Sequence, residues 1–492
     1  MKASTLRKIA VAVMCCLVAV AARSVKDQPP AAGDALAAYI AGARSELEPR
    51  FRLHYHLMPP VGWMNDPNGF SYYNGQFHMF YQFYPYDSVW GPMHWGHSIS
   101  SDLVHWEELP TALIPENEMC FSGSAVDDDG VLTLIYTGRE TIAQEPFYRE
   151  GQYLAFSDDG VNFHKYKGNP VLPAAPNGSP DFRDPKVWKH GDYWYLIVGS
   201  KTSDERGRVL LYKSKDLKEW EFLTVLGESN GDMGYMWECP DFFELDGKFV
   251  LLMSPQGLEA KGDRFKNTYQ TGYIIGTFNY TTYEFIQEVD FQEIDYGHDF
   301  YATQTLEHEG ERYLVAWFSM WEVPHPEADD GWAGALTIVR QLELRDNRII
   351  MRPVEEIVQL REEFLMDGEL HSDEETELPR ATELIVLGDL SEDIELLLEG
   401  VDGGDAVRLR WEARSQHVVV ERGGDERRAS WRPARGATWR LFLDASSLEL
   451  FCGEGEAVFS TRAYPLGGWR LTNRSRGPLH VQAFRLGASV PT

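Results

Sequence analysis

The chain has 492 residues, 43% of them hydrophobic and 25% charged, which supplies a large core and excludes wholesale disorder. Lys and Arg number 46 against 76 Asp and Glu, and the resulting net charge of −30 argues against nucleic acid and anionic membrane as partners. The 15 Trp, 23 Tyr and 25 Phe fit β-rich packing and a surface that stacks sugars.

Lys2, Arg7 and Lys8 precede the apolar run Ile9 to Val20, and Ala19-Val20-Ala21 is a small-x-small cleavage site. This pattern predicts a signal peptide over residues 1–21 and a secreted, extracellular protein, because the apolar run is too short to span a bilayer. Cys15 and Cys16 leave with it. Cys120, Cys239 and Cys452 remain, enough for one bridge at most and without the pair spacing of a metal site.

The next stretch carries an internal repeat. Apolar-aromatic strands centre near Phe80, Ile135, Leu196, Leu252 and Val315, at spacings of 55, 61, 56 and 63 residues. A second series keeps phase with it: the turns around Asp102, Asp159 and Asp216 lead to Trp106, Phe163 and Trp220, each 57 residues after the last. Units of this length with little helical periodicity predict a five-bladed β-propeller over residues 50–355, with a repetitive sandwich array as the alternative. Residues 356–378, which hold the acidic stretch Glu362 to Glu377, read as a solvated linker. Beyond it, short alternating runs such as 407–411, 418–420, 440–443, 448–451 and 479–486 predict a β-sandwich over residues 379–492. The fold class is therefore all-β.

Polar motifs fall in register with the repeat. Asp66 sits in Trp63-Met64-Asn65-Asp66-Pro67-Asn68-Gly69, Asp184 in Arg183-Asp184-Pro185, and Glu238 in Trp237-Glu238-Cys239-Pro240. Asp66 to Asp184 is 118 residues and Asp184 to Glu238 is 54, two repeats and then one. Ser122 follows Asp66 by 56 residues, and Asp299 follows Glu238 by 61. Equivalent positions in a closed ring converge on one end of its channel, which predicts three carboxylates in one pocket. Singly, each is an ordinary turn residue. Crowded together in an aromatic pocket, carboxylates cannot all ionise cheaply, and the outcome suits glycoside cleavage: one acid for the leaving oxygen, one carboxylate for the anomeric carbon. Arg183 is expected to keep its neighbour Asp184 ionised, and Trp63, Trp90, Trp95, Phe121, Trp237 and Trp332 to offer faces for sugar C–H groups.

His54, His56, His94 and His97 lie in strand-like aromatic segments and are expected to be hydrogen-bonded structural residues rather than metal ligands. Neither a nucleophile elbow nor a phosphate loop opens a helix. Asn279 and Asn473 fit the glycosylation acceptor pattern.

At these motifs, together with Phe121-Ser122-Gly123-Ser124, Trp95-Gly96-His97, Asp299-Phe300-Tyr301-Ala302 and Trp332-Ala333-Gly334, the chain resembles glycoside hydrolase family 32, the β-fructofuranosidases. The resemblance runs from about His54 to Leu486 and carries the same architecture, a five-bladed propeller followed by a sandwich. It implies hydrolysis of terminal β-D-fructofuranosides such as sucrose, an invertase activity, with retention through a fructosyl-enzyme. It implies Asp66 as nucleophile, Glu238 as general acid/base and Asp184 as transition-state stabiliser. Asn65, Gln82, Trp90, Phe121, Ser122 and Arg183 are implied contacts of the fructosyl unit, with Trp63 and Trp332 lining the pocket. No metal or organic cofactor is implied, and the expected partner is a small-molecule sugar, with no nucleic acid and no membrane.

Three other readings compete: a fructosyltransferase or an inulin or levan hydrolase of the same family, an inverting five-bladed arabinosidase or xylosidase, and a sugar-binding or storage protein on an inactive scaffold. Retention of all three carboxylates weighs against the last.

Overall fold

A computed structural model describes residues 33–490 except position 177; the expected signal peptide, 1–21, lies outside them. Five sheets are arranged as blades. Their first strands are Gly62–Tyr73, Glu118–Asp128, Phe182–His190, Met236–Leu245 and Tyr301–His308, each touching the first strand of the next blade and the fifth touching the first again. That closure is the propeller.

Each repeat centre read from the sequence falls on the second strand of a blade: Phe80 in Gln76–Tyr84, Ile135 in Val131–Thr141, Leu196 in Tyr193–Lys201, Leu252 in Lys248–Gln256 and Val315 in Glu311–Trp317. These strands are covered on both faces by neighbouring blades, so they run almost continuously apolar instead of alternating. The second series forms the turns between third and fourth strands. Asp102 Oδ1 accepts the backbone N–H groups of Val104 and His105, and Asp159 and Asp216 repeat the same turn.

Ring closure comes from a two-residue strand, Trp332–Ala333, that leaves blade V and pairs parallel to Gly62–Trp63 of blade I. A Cβ on the following Gly334, which has φ +87, would stand 2.0 Å from the Met64 carbonyl oxygen. The Trp-Ala-Gly motif is thus a clasp between blades. The N-terminal helix, Gly33–Arg44, buries Leu36 and Ile40 and ion-pairs Arg44 with Glu108 on the outer strand of blade I.

The C-terminal unit is a sandwich of two six-stranded sheets around one apolar core. The expected solvated linker over 356–378 is not a connector. After a short 3-10 helix, Glu355–Leu360, the strands Arg361–Leu370 and Glu375–Leu378 form an edge of each sheet. Exposed edge strands are kept charged because that blocks pairing with other chains, and the same acidity made the segment read as solvated.

An ionic cluster, buried except at His54, joins the two units. Asp444 of the sandwich accepts the backbone N–H groups of His54 and Tyr55 and both Nδ1 atoms of His54 and His56, while His56 Nε2 lies 2.9 Å from Glu449. Arg340 of blade V bonds Glu449 and Asp295. The expected structural role of these histidines is what the geometry shows. Cys120, Cys239 and Cys452 are all free.

Candidate active site

In each blade the ladder between first and second strands slips where its motif lies. Asn65-Asp66 face Gln82, Phe121-Ser122 face Thr137, Asp184-Pro185 face Val198, Cys239-Pro240 face Met253, and Ala302 is the extra residue of blade V. A bulge bends the strand and re-aims its side chains. Here the bulges turn polar groups from five strands toward the axis. Asp184, Cys239 and Ala302 accordingly hold positive φ values of 67°, 47° and 52°, a conformation that costs non-glycine residues roughly 1–3 kcal/mol each. Gly69, which ends the first motif at φ +55, could not carry a side chain: its Cβ would lie 2.7 Å from the Phe80 ring.

The three carboxylates meet. Asp66 Oδ2 accepts from the Ser122 hydroxyl at 2.7 Å, and Asp66 Oδ1 from Asn65 Nδ2 at 3.0 Å. The Cys239 thiol lies 3.6 Å from Asp66 Oδ2 and 3.7 Å from Asp184 Oδ2, and the Cys239 N–H donates to Asp184 Oδ2 at 2.9 Å. Glu238, next in the chain, accepts from Arg183 Nε at 2.9 Å, Gln256 Nε2 at 2.8 Å and the Tyr301 hydroxyl at 2.6 Å.

Electrostatics divide them. Burial, and after it the charge of Glu238, push Asp184 up to about 8, against the pull of Arg183. Burial also raises Asp66, although the Ser122 hydrogen bond opposes it. The expectation that Arg183 holds Asp184 ionised is corrected: the guanidinium hydrogen-bonds Glu238, Glu150 and Asp181 instead of Asp184. Chain neighbours on a strand point to opposite faces, so adjacency in sequence is a poor guide to contact.

The aromatic expectations separate. Trp90 is 43% exposed and meets Phe121 edge-on at 6.1 Å, forming an accessible apolar rim. Trp63 is nearly buried, stacks on Trp321 and donates its indole N–H to Asn65 Oδ1 at 2.8 Å, orienting the residue that holds Asp66. Trp332 does not line the pocket. It is fully buried in the clasp, with the guanidiniums of Arg52 and Arg462 over its ring. Trp95 and Trp237 are buried as well, donating to the Phe121 and Met233 carbonyls. Gln82 donates to the Cys120 carbonyl at 2.8 Å, securing blade II beside its bulge.

Asp299 does not join the pocket. It accepts from Arg422 Nη1 at 2.6 Å and from the Arg462 N–H at 2.8 Å, at the junction with the sandwich. Its spacing from Glu238 does not bring it to the axis, because the blade V bulge comes three residues later, at Ala302. Asn473 is buried with its amide donating to the Leu370 and Gly477 carbonyls, so the folded chain does not present it as an acceptor; Asn279 is exposed. His94 and His97 bond the Pro92 carbonyl and His78 within blade I.

Residue-by-residue reading missed Tyr301 and Gln256 on Glu238, and Thr137, whose hydroxyl accepts the Asp184 N–H at 2.9 Å. Tyr301 lies inside a quoted motif. The other two lie in no motif: Gln256 reaches Glu238 across the ladder of its own blade, and Thr137 reaches Asp184 from the neighbouring blade.

The model of the "Glycosyl hydrolases family 32 N-terminal domain" matches residues 56–353, and that of the "Glycosyl hydrolases family 32 C terminal" domain matches 391–477. The chain belongs to glycoside hydrolase family 32. It is 41% identical over 452 residues to a sucrose-6-phosphate hydrolase of Zymomonas mobilis, covering 84% of this chain and 86% of that protein. It is 41% identical over 428 residues to the raffinose invertase of Escherichia coli, covering 84% and 89%. Among solved structures, the Bombyx mori family 32 β-fructofuranosidase BmSUC1 superposes with a TM-score of 0.92 at 59% identity, covering 94% of this chain and 99% of that one. A variant of the same silkworm enzyme has been solved in complex with sucrose. As a member of family 32 this chain is a glycoside hydrolase, and its architecture is the family's propeller and sandwich.

Proposed function

We propose that the protein is a secreted β-fructofuranosidase that hydrolyses unphosphorylated sucrose with retention of configuration. The observation that carries the reading is the meeting of Asp66, Asp184 and Glu238 around Cys239, with only Glu238 in contact with a guanidinium and a phenol. Glu238 protonates the glycosidic oxygen as Asp66 attacks fructose C2; the C2–O bond breaks, glucose leaves with the proton, and a fructosyl ester forms on Asp66. Glu238, now ionised, takes a proton from water, whose oxygen attacks C2 and frees Asp66. Asp184 accepts fructosyl hydroxyls, and positive charge growing at C2 favours its ionised form.

Charge supports the unphosphorylated sugar. Arg183 is already shared by three acids, Arg139 is paired with Glu150, and Lys201 with Asp181. A phosphate entering this pocket meets carboxylates and no uncommitted cation among these groups. Secretion rests on the basic-apolar-small pattern of residues 1–21.

Purified protein should release glucose and fructose from sucrose, with the first fructose formed as the β-anomer by NMR. Asp66→Ala and Glu238→Ala should each lose several orders of magnitude in kcat/KM. A wild-type-like Asp66→Ala enzyme, or initial inversion, refutes the mechanism. Faster turnover of sucrose 6-phosphate, inulin or a transfer reaction than of sucrose hydrolysis refutes the assigned substrate. Product remaining in the cells with residues 1–21 attached refutes secretion.

A further inference from the structure

Glu150 lies outside every motif, on the third strand of blade II (Tyr148–Ser157), and is 2% exposed. Both its oxygens are committed. Oε1 accepts from Arg139 Nη1 at 2.7 Å; Oε2 accepts the Phe182 N–H at 2.8 Å and Arg183 Nη1 at 3.2 Å. Arg183 turns the opposite edge of its guanidinium to Glu238, with Nε and Nη2 each 2.9 Å from Oε1. Asp181 shares the same guanidinium at 2.9 Å and is itself held by the Tyr148 hydroxyl and Lys201. The charges alternate inward from the rim: Arg139, Glu150, Arg183, Glu238.

We propose that Glu150 is a positioning residue for the acid/base carboxylate. It fixes the Arg183 guanidinium against Glu238 and, with Arg139 on its far oxygen, sets how much positive charge Glu238 feels. The inference deepens the reading above and rests on Glu238 being the proton donor. A buried carboxylate is costly unless fully paired, and this one is paired by two arginines from different blades, so its place is set by geometry. At short range in a low-dielectric site, one charge more or less behind Arg183 is felt at Glu238. The other groups facing Glu238 are Gln256 and Tyr301 by hydrogen bond, with Asp66, Asp184, Cys239 and Tyr235 nearby. Those facing Glu150 are Arg139, Arg183 and the Phe182 amide, with Tyr148 beside them.

The test is the pH profile of kcat/KM on sucrose, whose alkaline limb marks loss of the proton the leaving oxygen needs. Glu150→Gln keeps shape and an acceptor but removes a negative charge. Arg183 is then less compensated, Glu238 gives up its proton more readily, and the alkaline limb moves to lower pH by about half a unit to one unit. Arg139→Gln does the reverse: Glu150 then bears wholly on Arg183, and the limb moves to higher pH. A merely structural role lowers kcat and thermal stability and leaves both limbs in place. Unmoved limbs in both variants, or shifts of the same sign, overturn the proposal. Should Glu150→Gln fail to fold, Arg139→Gln decides alone, since Arg139 is partly exposed, and a limb unmoved or lowered there overturns it. An active Glu238→Ala enzyme refutes the underlying mechanism; an inactive one, together with unmoved limbs in the Glu150→Gln and Arg139→Gln enzymes, refutes only the role of Glu150.

Discussion

The Cys239 backbone N–H, in the bulge after Glu238, donates to Asp184 Oδ2 at 2.9 Å, so blade IV holds the carboxylate supplied by blade III. Cross-blade contacts of this kind make the pocket a property of the closed ring. Ser122 of blade II holds Asp66 of blade I in the same way, and Tyr301 of blade V holds Glu238 of blade IV.

Ser122→Ala removes the hydroxyl that donates to Asp66 Oδ2. A hydrogen bond to a charged group contributes about 1.5–3 kcal/mol. With that contribution expressed in the transition state, kcat/KM on sucrose falls about 10- to 100-fold, and Tm falls as well because the same bond holds the buried carboxylate in the fold. Steady-state rates beside a melting curve check it; an unchanged rate excludes the hydroxyl from orienting the nucleophile.

Asp184→Asn abolishes turnover yet stabilises the fold, and the gain grows with pH. The carboxyl is raised from its ordinary 3.8 to about 8 on folding. A raised group leaves stability intact below the unfolded value and erodes it as pH rises toward the folded one. The Tm difference between variant and wild type should therefore be small at pH 4 and largest at pH 8 and above. A gain that is flat across this range contradicts the assignment.

His56 places both ring nitrogens against carboxylates, so the ring donates twice and is an imidazolium. Burial alone would neutralise it, but the hydrogen bonds it donates to Asp444 and Glu449, with their charges, outweigh burial and raise it. His56→Gln removes the charge shared by the two buried carboxylates; Asp444 keeps His54 and Glu449 keeps Arg340, so the loss is that of a charged hydrogen bond, about 1.5–3 kcal/mol in urea unfolding. The stabilisation is complete below pH 6.5 and declines above it as the wild-type ring loses its proton, so the deficit should shrink in alkaline buffer. A constant deficit argues for lost packing instead of lost charge.

Gly69→Ala forces a Cβ to 2.7 Å from Phe80 at φ +55. The left-handed backbone costs roughly 1–2 kcal/mol and the overpacking about 1–3 kcal/mol more. A fall in Tm with weakened sucrose turnover is expected, because the first strand carrying Asp66 must shift. A neutral substitution removes the reason for glycine at this place in the motif.

The amino-acid sequence by itself determined the repeat, and through it the five blades, because each blade buries the same kind of apolar strand and the first three share the same aspartate turn. It also determined which acids approach the axis, since Asp66 and Asp184 sit in matching bulges of their strands and Glu238 directly before one. Those are local features, repeated once per blade. Only the tertiary structure decided which group each side chain meets: Arg183 turned to Glu238 instead of Asp184, Trp332 closed the ring beneath the pocket, Asp299 went to the sandwich, and the acidic stretch 361–370 became an edge strand. These outcomes depend on contacts between segments far apart in the chain, where neither spacing nor composition carries the direction in which a side chain points.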